Sequence, residues 1–301
     1  MALHIFNKNL YVVFEEPGRA YKGSRFDWNG QITQITLNDQ CTFCTSESVN
    51  DDVGVSGGRG LFGEFGIDEP IGYDDCAQGD RFPKIGVGNL TKDTLNPYFF
   101  NRPYPVQPAK FMVKQSKANA ISFICEPEVT NGYGYCYEKR FEVDGSSLLM
   151  TYNLRNTGTK VFNTNEYCHN FIAINHLPID KLYRLIFSNP IRIDAITEIV
   201  NPNHVVLFHG AKVTWNDIPG SDFFFRELTG TQKPITGWSI EHTGIGVGIS
   251  ENVDFIPVRV NLWGRGHVIS PELYYPISLI AGNSTHWHRQ YTFYNLLSGS
   301  N

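Results

Sequence analysis

The sequence has no run of about 18 apolar residues that could span a bilayer, and no block of charge of one sign. With 25 Lys and Arg against 30 Asp and Glu, its net charge is −5. This balance gives no electrostatic reason to expect nucleic acid or a membrane surface as a partner. Residues 1–18 lack the basic start, apolar core and small-residue cleavage site of a secretory signal. We therefore expect a cytoplasmic protein.

Several common cofactor and catalytic motifs are also missing. There is no Walker A loop, no HExxH and no GxSxG. Gly58–Gly63 matches GxGxxG, but neither flank has the strand and helix character that dinucleotide binding needs. Cys41 and Cys44 have zinc-like spacing, yet no second CxxC and no suitably spaced histidine pair completes four ligands. We expect reduced thiols, no metal site and no organic cofactor.

No window of 12 or more residues carries a convincing helical stripe; apolar residues instead alternate or form short runs closed by Gly, Pro, Asn or Asp. The predicted strands are Leu10–Phe14, Gln31–Leu37, Lys110–Gln115, Ile121–Cys125, Tyr135–Val143, Ser147–Leu154, Tyr167–Ile174, Lys181–Phe187, Val205–His209, Ala211–Trp215, Asp222–Leu228, Gly237–His242, Val258–Trp263 and His286–Tyr294. Asp144-Gly145 between two of these strands predicts a tight hairpin turn. Single helical turns are expected only in loops, for example around Lys92–Asn96.

Many short strands without intervening helices predict an all-β sandwich or barrel. A hydrophobic content of 41% is enough for a large core, and no linker-like segment divides the chain. We therefore predict one domain over residues 1–301. Residues 45–88, rich in Gly, Asp and Ser, look least strand-like and are expected to lie over an open face, as a wall of the site.

Aromatic residues are abundant, with 21 Phe, 15 Tyr and 5 Trp. Most suit strands and fill cores. Trp28, Trp263 and Trp287 stand beside polar residues, so each could stack on the apolar face of a sugar. The alternative for each is a half-buried indole with a satisfied N–H.

Two segments carry a resemblance to a known family. One runs from Asn165 to Ile174 and has a histidine in the motif Cys-His-Asn-Phe at 168–171; the other contains Glu272, a Leu-x-x-Gly turn at 279–282 and a final aromatic strand. Together with Arg25 in an early Gly-Ser-Arg-Phe segment, they resemble the galactose mutarotase-like superfamily of aldose 1-epimerases and hexose-phosphate epimerases. This resemblance implies a large antiparallel β-sandwich that binds a sugar.

The resemblance also implies a catalytic pair. Opening a cyclic sugar needs a proton delivered to the ring oxygen and another removed from the anomeric hydroxyl. His169 is assigned as the general acid, acting as a cation, and Glu272 as the general base. Arg25 is expected to donate to sugar hydroxyls or a phosphate.

Two further groups of the family have no obvious counterpart in this sequence. A second histidine is expected before the first, but none stands between His4 and His169. Arg81 or Lys84 could replace it as a hydrogen-bond donor. The substrate-orienting aspartate is expected between His169 and Glu272, and its candidates are Asp222, Glu241 and Asp254.

These residues predict an isomerase that interconverts the α and β anomers of an aldose or aldose phosphate. A small-molecule sugar is the expected partner, and the protein is expected to be a monomer or homodimer. Two other functions stay open. One is a catalytically silent carbohydrate-binding domain of the same fold. The other is a glycoside-cleaving enzyme, whose paired acidic groups or lyase base the sequence does not reveal.

Overall fold

The computed structural model describes residues 3–49 and 57–296. Within these ranges the chain forms 23 β-strands and three 3-10 helices of three residues each, at Ile174–His176, Ile193–Ala195 and Pro202–His204. The described residues contain no helix with the length and apolar character needed to cross a membrane.

The strands, numbered along the chain, form two large sheets and one small sheet. The first sheet has the order β1 (Leu3–Phe6), β2 (Leu10–Phe14), β3 (Ile32–Leu37), β5 (Leu61–Phe65), β13 (Phe162–Asn170), β22 (Val268–Leu279), β21 (Arg259–Arg265), β18 (Phe223–Arg226) and β15 (Glu198–Val200), with β4 (Cys41–Thr42) paired to β3. Every pairing in this sheet is antiparallel.

The second sheet is also antiparallel. Its order is β16 (Val206–His209), β17 (Lys212–Trp215), β14 (Tyr183–Phe187), β19 (Gly237–His242), β20 (Val247–Val253), β23 (Ser284–Asn295), β12 (Ser147–Asn156), β11 (Tyr135–Asp144), β10 (Ala120–Glu126) and β9 (Lys110–Lys117). The small sheet comprises β6 (Arg81–Lys84), β7 (Gly88–Thr91) and β8 (Val106–Pro108).

Aromatic side chains fill the space between the two large sheets. Phe14 of the first sheet meets Phe141 of the second edge-on, with ring centroids 4.7 Å apart. Phe65 meets Tyr137 in the same way at 5.2 Å. Two antiparallel sheets packed face to face around such a core confirm the predicted all-β sandwich.

Each of the fourteen predicted strands overlaps a strand of the structure, and the Asp-Gly hairpin joins β11 to β12 with Gly145 at a φ of +54°. Two loop expectations are wrong. Residues 45–88, of which 50–56 lie outside the described residues, include β5 in the middle of the first sheet and β6 in the small sheet, although Glu47, Ile67 and Asp68 do line the cavity described below. Lys92–Asn96 contains no helical turn. The strand expected over Tyr167–Ile174 ends at Asn170.

The first sheet presents its other face away from the sandwich core, and alternation along the strands selects which side chains reach it. Successive strand residues point to opposite faces. On β13, Cys168 therefore joins the core between the sheets, whereas His169 lies on the opposite face beside Phe26 and Phe171 of a second aromatic cluster. This face carries the candidate site.

Candidate active site

His169 stands near the middle of the first sheet with 4% of its surface exposed. Its ring stacks on Phe171 with centroids 4.0 Å apart, and Trp263 approaches its edge at 5.2 Å. Nε2 lies 3.5 Å from Oε1 of Glu272, and Nδ1 lies 2.9 Å from Oγ of Ser270. Aromatic contacts therefore fix the ring, and each of its two nitrogens faces a polar group.

Glu272 comes from β22, where it lies opposite Asn261 of β21. Its Oε2 accepts a hydrogen bond from the Tyr274 hydroxyl at 3.0 Å and a longer one from Nδ2 of Asn261 at 3.4 Å. These two donors occupy one carboxylate oxygen. The other oxygen, Oε1, is directed toward His169 and Ser270.

Burial moves the two titratable groups in opposite directions. Desolvation raises the pKa of Glu272 from 4.5 to about 7, against the opposing effect of the Tyr274 hydrogen bond and of Arg25. Desolvation, assisted by the positive charge of Arg25, lowers the pKa of His169 well below 6.5. The imidazole is therefore neutral at pH 7. This result departs from the expectation that His169 would act as a cation.

Arg25 lies at the same site and is held from three sides. Its Nε donates to Oε2 of Glu64 at 3.0 Å, and its guanidinium lies between the rings of Phe26 and Phe100, at 4.3 and 4.6 Å from their centroids. Glu64 also accepts a 2.6 Å hydrogen bond from the hydroxyl of Tyr167. This packing fixes the guanidinium beside the catalytic candidates, while its role as a donor to a sugar stays a prediction.

An open cavity of about 440 Å³ lies above these groups and is lined by His169, Glu272, Arg25 and Trp263. Further polar and aromatic side chains also line the cavity, namely Asp222, Phe224, Arg226, Arg259, Asn261 and Arg265. The arginines there are paired with carboxylates: Arg259 with Asp68 at 2.6 Å, and Arg265 with Asp222 at 2.8 Å. Such a surface offers hydrogen bonds to a polyhydroxylated ligand and aromatic faces to its C–H groups.

Two of the three predicted tryptophans lie away from this cavity. Trp28 is 4% exposed in the second aromatic cluster and donates its N–H to the carbonyl of Gly23. Trp287 is 1% exposed between the sheets, where it stacks on Tyr152 and donates to Glu166. Both indoles are therefore packed core residues, which is the alternative that the sequence left open.

Arg81 and Lys84 do not line the cavity either. Arg81 is exposed on the small sheet and donates to Gln107 at 2.7 Å. Lys84 is buried, where desolvation lowers its pKa from 10.5 to about 8, and its Nζ donates to the carbonyl of Phe65 at 2.6 Å. Lys84 also lies 3.8 Å from Glu64, so it supports the partner of Arg25 and does not reach the cavity itself.

The structure separates the three candidates for an orienting carboxylate. Asp222 lines the cavity, paired with Arg265. Glu241 pairs with Arg184 on the second sheet, and Asp254 accepts from the backbone of His288. Asp222 is therefore the candidate that reaches the site.

Sequence reasoning missed several polar residues of the site: Ser270, Tyr274, Asn261, Tyr167 and Glu64. The signal was present in Ser270-x-Glu272-x-Tyr274, whose alternate residues share one face of a strand. The strand itself was not predicted because Pro271 and Pro276 interrupt it. Proline usually argues against a central strand.

The six cysteines carry free thiols. Among residues 3–49 and 57–296, no group of three or more His, Cys, Asp or Glu side chains is arranged to hold a metal ion.

No protein-family model matches this sequence, and no curated protein matches it either. Several solved structures, however, are similar to this chain. A putative aldose 1-epimerase from Escherichia coli K12 is 12% identical and has a TM-score of 0.63, over 98% of this chain and 99% of that one. A galactose mutarotase-like protein from Lactobacillus casei is 13% identical with a TM-score of 0.61, over 98% and 100%.

A galactose 1-epimerase from Lactobacillus acidophilus NCFM is 11% identical, with a TM-score of 0.57 over 98% of this chain and 94% of that one. The structural similarity extends over nearly the full length of each pair of chains. Because the sequence identities are so low, this similarity supports the fold alone. Together with the two antiparallel sheets described above, these similarities show that the chain has the fold of the galactose mutarotase-like superfamily.

Proposed function

We propose that this protein is an aldose 1-epimerase-type isomerase, which interconverts the α and β anomers of an aldose or aldose phosphate. The observation that carries the proposal is the approach of Nε2 of His169 to Oε1 of Glu272, 3.5 Å apart on the floor of one cavity. The two residues are 103 positions apart in the sequence, and the fold brings them together at a surface that a ligand can reach.

The chemistry of mutarotation suits this spacing. The ring oxygen and the anomeric hydroxyl are bonded to the same carbon, so the acid and the base must be close neighbours. Oε1 of Glu272 takes the hydroxyl proton, and the ring nitrogen of His169 beside it protonates the ring oxygen. Ionised Glu272 predominates above pH 7, where the base is ready to act.

The walls of the cavity supply groups for holding the ring. Trp263 presents an aromatic face, and aromatic rings bind the apolar C–H face of sugars well. Arg25 offers a positive charge close to the catalytic pair, and Asn261 holds the Glu272 carboxylate by a hydrogen bond. Asp222 with its partner Arg265 can bind hydroxyls on the far side of the ring.

A second candidate is a sugar-binding protein without catalysis. It is favoured by the missing second histidine: the sequence has none between His4 and His169, and neither Arg81 nor Lys84 reaches the cavity in its place. Such a protein would hold a sugar in the same cavity and leave the anomeric ratio unchanged.

The experiment that separates the two is proton exchange NMR between anomers. α-D-Glucose, α-D-galactose and glucose 6-phosphate would each be mixed with the protein, with the Glu272→Gln variant as control. We expect the wild type to accelerate the exchange of at least one of them and the variant to lose that effect. Binding without acceleration would instead support the non-catalytic candidate.

A further inference from the structure

Ser270 lies between the two catalytic candidates and has no exposed surface. Its Oγ lies 2.9 Å from Nδ1 of His169 and 3.4 Å from Oε1 of Glu272. The same oxygen accepts the backbone N–H of Asn170 at 3.0 Å. One hydroxyl thus contacts both groups that the proposed reaction uses, without facing the cavity.

The hydrogen-bonding capacity of a hydroxyl allows two complete arrangements here. Serine has one donor hydrogen and two acceptor lone pairs, and Asn170 takes one lone pair permanently. In the first arrangement, Ser270 donates to Nδ1 of His169 and Nε2 carries the ring proton. In the second, Nδ1–H donates to Ser270, which donates to Oε1 of Glu272. The Ser270 O–H has a partner in both states, while the second state leaves Nε2 of His169 unprotonated beside Oε1 of Glu272.

Side-chain contacts around the three groups hold these distances fixed. Nδ2 of Asn170 donates to the carbonyl of Pro271 at 2.6 Å, which ties β13 to β22 beside Ser270. Phe171 and Trp263 prevent the imidazole from turning. A proton can therefore move along the chain of three groups without a change in heavy-atom positions.

We propose that Ser270 is a positioning residue that relays a proton between Glu272 and Nδ1 of His169, so that the imidazole acts as a neutral tautomer. This inference rests on the proposed function. In ring opening, Oε1 of Glu272 takes the anomeric hydroxyl proton, and the freed electron pair forms the carbonyl as the bond between the anomeric carbon and the ring oxygen breaks. The ring oxygen takes the proton from Nε2.

The relay moves in the same step, so that no imidazolate forms and the charges stay balanced. Glu272 passes its new proton to Ser270, and Ser270 passes its own to Nδ1. Glu272 is again a carboxylate, Ser270 again a hydroxyl, and His169 is neutral with its proton on the other nitrogen. Ring closure on the opposite face of the carbonyl runs each transfer backwards, which releases the other anomer and restores the first tautomer.

The electrostatic surroundings favour a neutral histidine in this role. Burial and Arg25 keep the pKa of His169 well below 6.5, while that of Glu272 is about 7. Above pH 7 the two groups are therefore imidazole and carboxylate, the states that the relay starts from. The charged and titratable groups packed around them are Arg25, Glu64, Tyr167, Tyr274, Arg259 and Arg265.

The test is Ser270→Ala, with Ser278→Ala as the matched control because Ser278 is an exposed serine on the same strand. We expect Ser270→Ala to lower kcat for anomer exchange by at least about 10-fold with KM little changed. The pH profile should also change. The wild-type rate should rise through pH 7 and then stay level, whereas the variant, forced to use cationic His169, should slow as the pH rises.

One further variant separates the relay from a purely structural role, and one spectroscopic measurement checks the hydrogen bond that the relay needs. Ser270→Thr restores a hydroxyl and should recover most of the lost rate, provided thermal unfolding shows a native fold. In ¹⁵N NMR of histidine-labelled protein, the Nδ1 signal of His169 should move in Ser270→Ala and stay in place in Ser278→Ala.

The outcomes distinguish the two proposals. An active wild type with an equally active Ser270→Ala variant and an unchanged pH profile would overturn the relay and leave the proposed function intact. A wild type that accelerates no sugar would overturn the proposed function, and the relay with it.

Discussion

On the cavity floor, burial acts on an acid and a base at once. It disfavours the charged form of each, so the Glu272 pKa rises to about 7 and the His169 pKa falls well below 6.5. The two neighbours therefore do not form a charged ion pair at neutral pH, although only 3.5 Å separates them. The proposed reaction would therefore start from an uncharged imidazole.

The kinetics of single and double variants test whether the two residues act in one transition state. We expect Glu272→Gln and His169→Asn each to lower the mutarotation rate by about 10²-fold or more, since each removes a positioned acid or base. The double variant should lose less than the product of the two effects. Rates of anomer exchange for the four proteins provide the measurement. Effects that multiply would argue for independent roles.

The pH dependence of stability tests the environment of Glu272. The unfolded chain keeps its pKa near 4.5 while the folded state has about 7, so the folded state binds the proton more tightly. That stabilisation is fully present below pH 4.5 and is lost as the pH rises through 7, by about 3 kcal/mol. The glutamine of Glu272→Gln has no titratable group, so this loss of stability with rising pH should be absent from the variant.

The stability of Glu272→Gln relative to the wild type should therefore increase by about 3 kcal/mol between pH 4.5 and pH 8. Urea unfolding at the two pH values measures the difference. Glu142→Gln serves as the control because Glu142 is an exposed partner of Arg140. A difference that is the same at both pH values would mean that the folded pKa of Glu272 is ordinary.

Among the strands, β23 connects the two sheets through one buried guanidinium. Arg289 has no exposed surface and donates to Glu166 at 2.7 Å and to Glu251 at 2.8 Å. Glu166 belongs to the first sheet and Glu251 to the second. A further bond to the carbonyl of Leu273 reaches the strand of Glu272. This guanidinium therefore fixes the two sheets relative to each other directly behind the candidate site.

Removing that guanidinium should strongly lower the stability of the fold, because it leaves two buried carboxylates without their cation. We expect Arg289→Met to lower the free energy of unfolding by about 3–5 kcal/mol. Arg140→Met breaks the exposed 2.7 Å pair with Glu142 and should cost no more than about 1 kcal/mol. Denaturant titration of both variants makes the comparison, and equal losses would contradict it.

For the whole molecule, the cavity is assembled from four strands of the first sheet and from loops, so ligand binding should stabilise the entire fold. A sugar at about 100 times its Kd should add about 2.7 kcal/mol to the free energy of unfolding. Thermal unfolding with a series of aldoses and aldose phosphates would rank the ligands. Trp263→Ala should weaken this stabilisation, whereas Trp28→Phe, in a position away from the cavity, should preserve it.

The sequence by itself determined the fold class and most of the strands. Alternation of apolar and polar residues is a local property, as is the Asp-Gly turn before β12, and both depend on the immediate surroundings of each residue. It also pointed to His169, Glu272 and Arg25 through the resemblance of their segments, and to Trp263 through its polar neighbours. Strands buried on both faces, such as β5 and β22, lack that alternation and were missed.

Tertiary structure decided the rest, because burial and proximity are properties of the assembled sheets. A tryptophan beside polar neighbours reads the same in sequence whether it lines a cavity, as Trp263 does, or packs in a core, as Trp287 does. The protonation states of His169 and Glu272 follow from desolvation, which exists only after folding. Ser270 acquires its place between them because hydrogen bonding pairs strands that lie about a hundred residues apart.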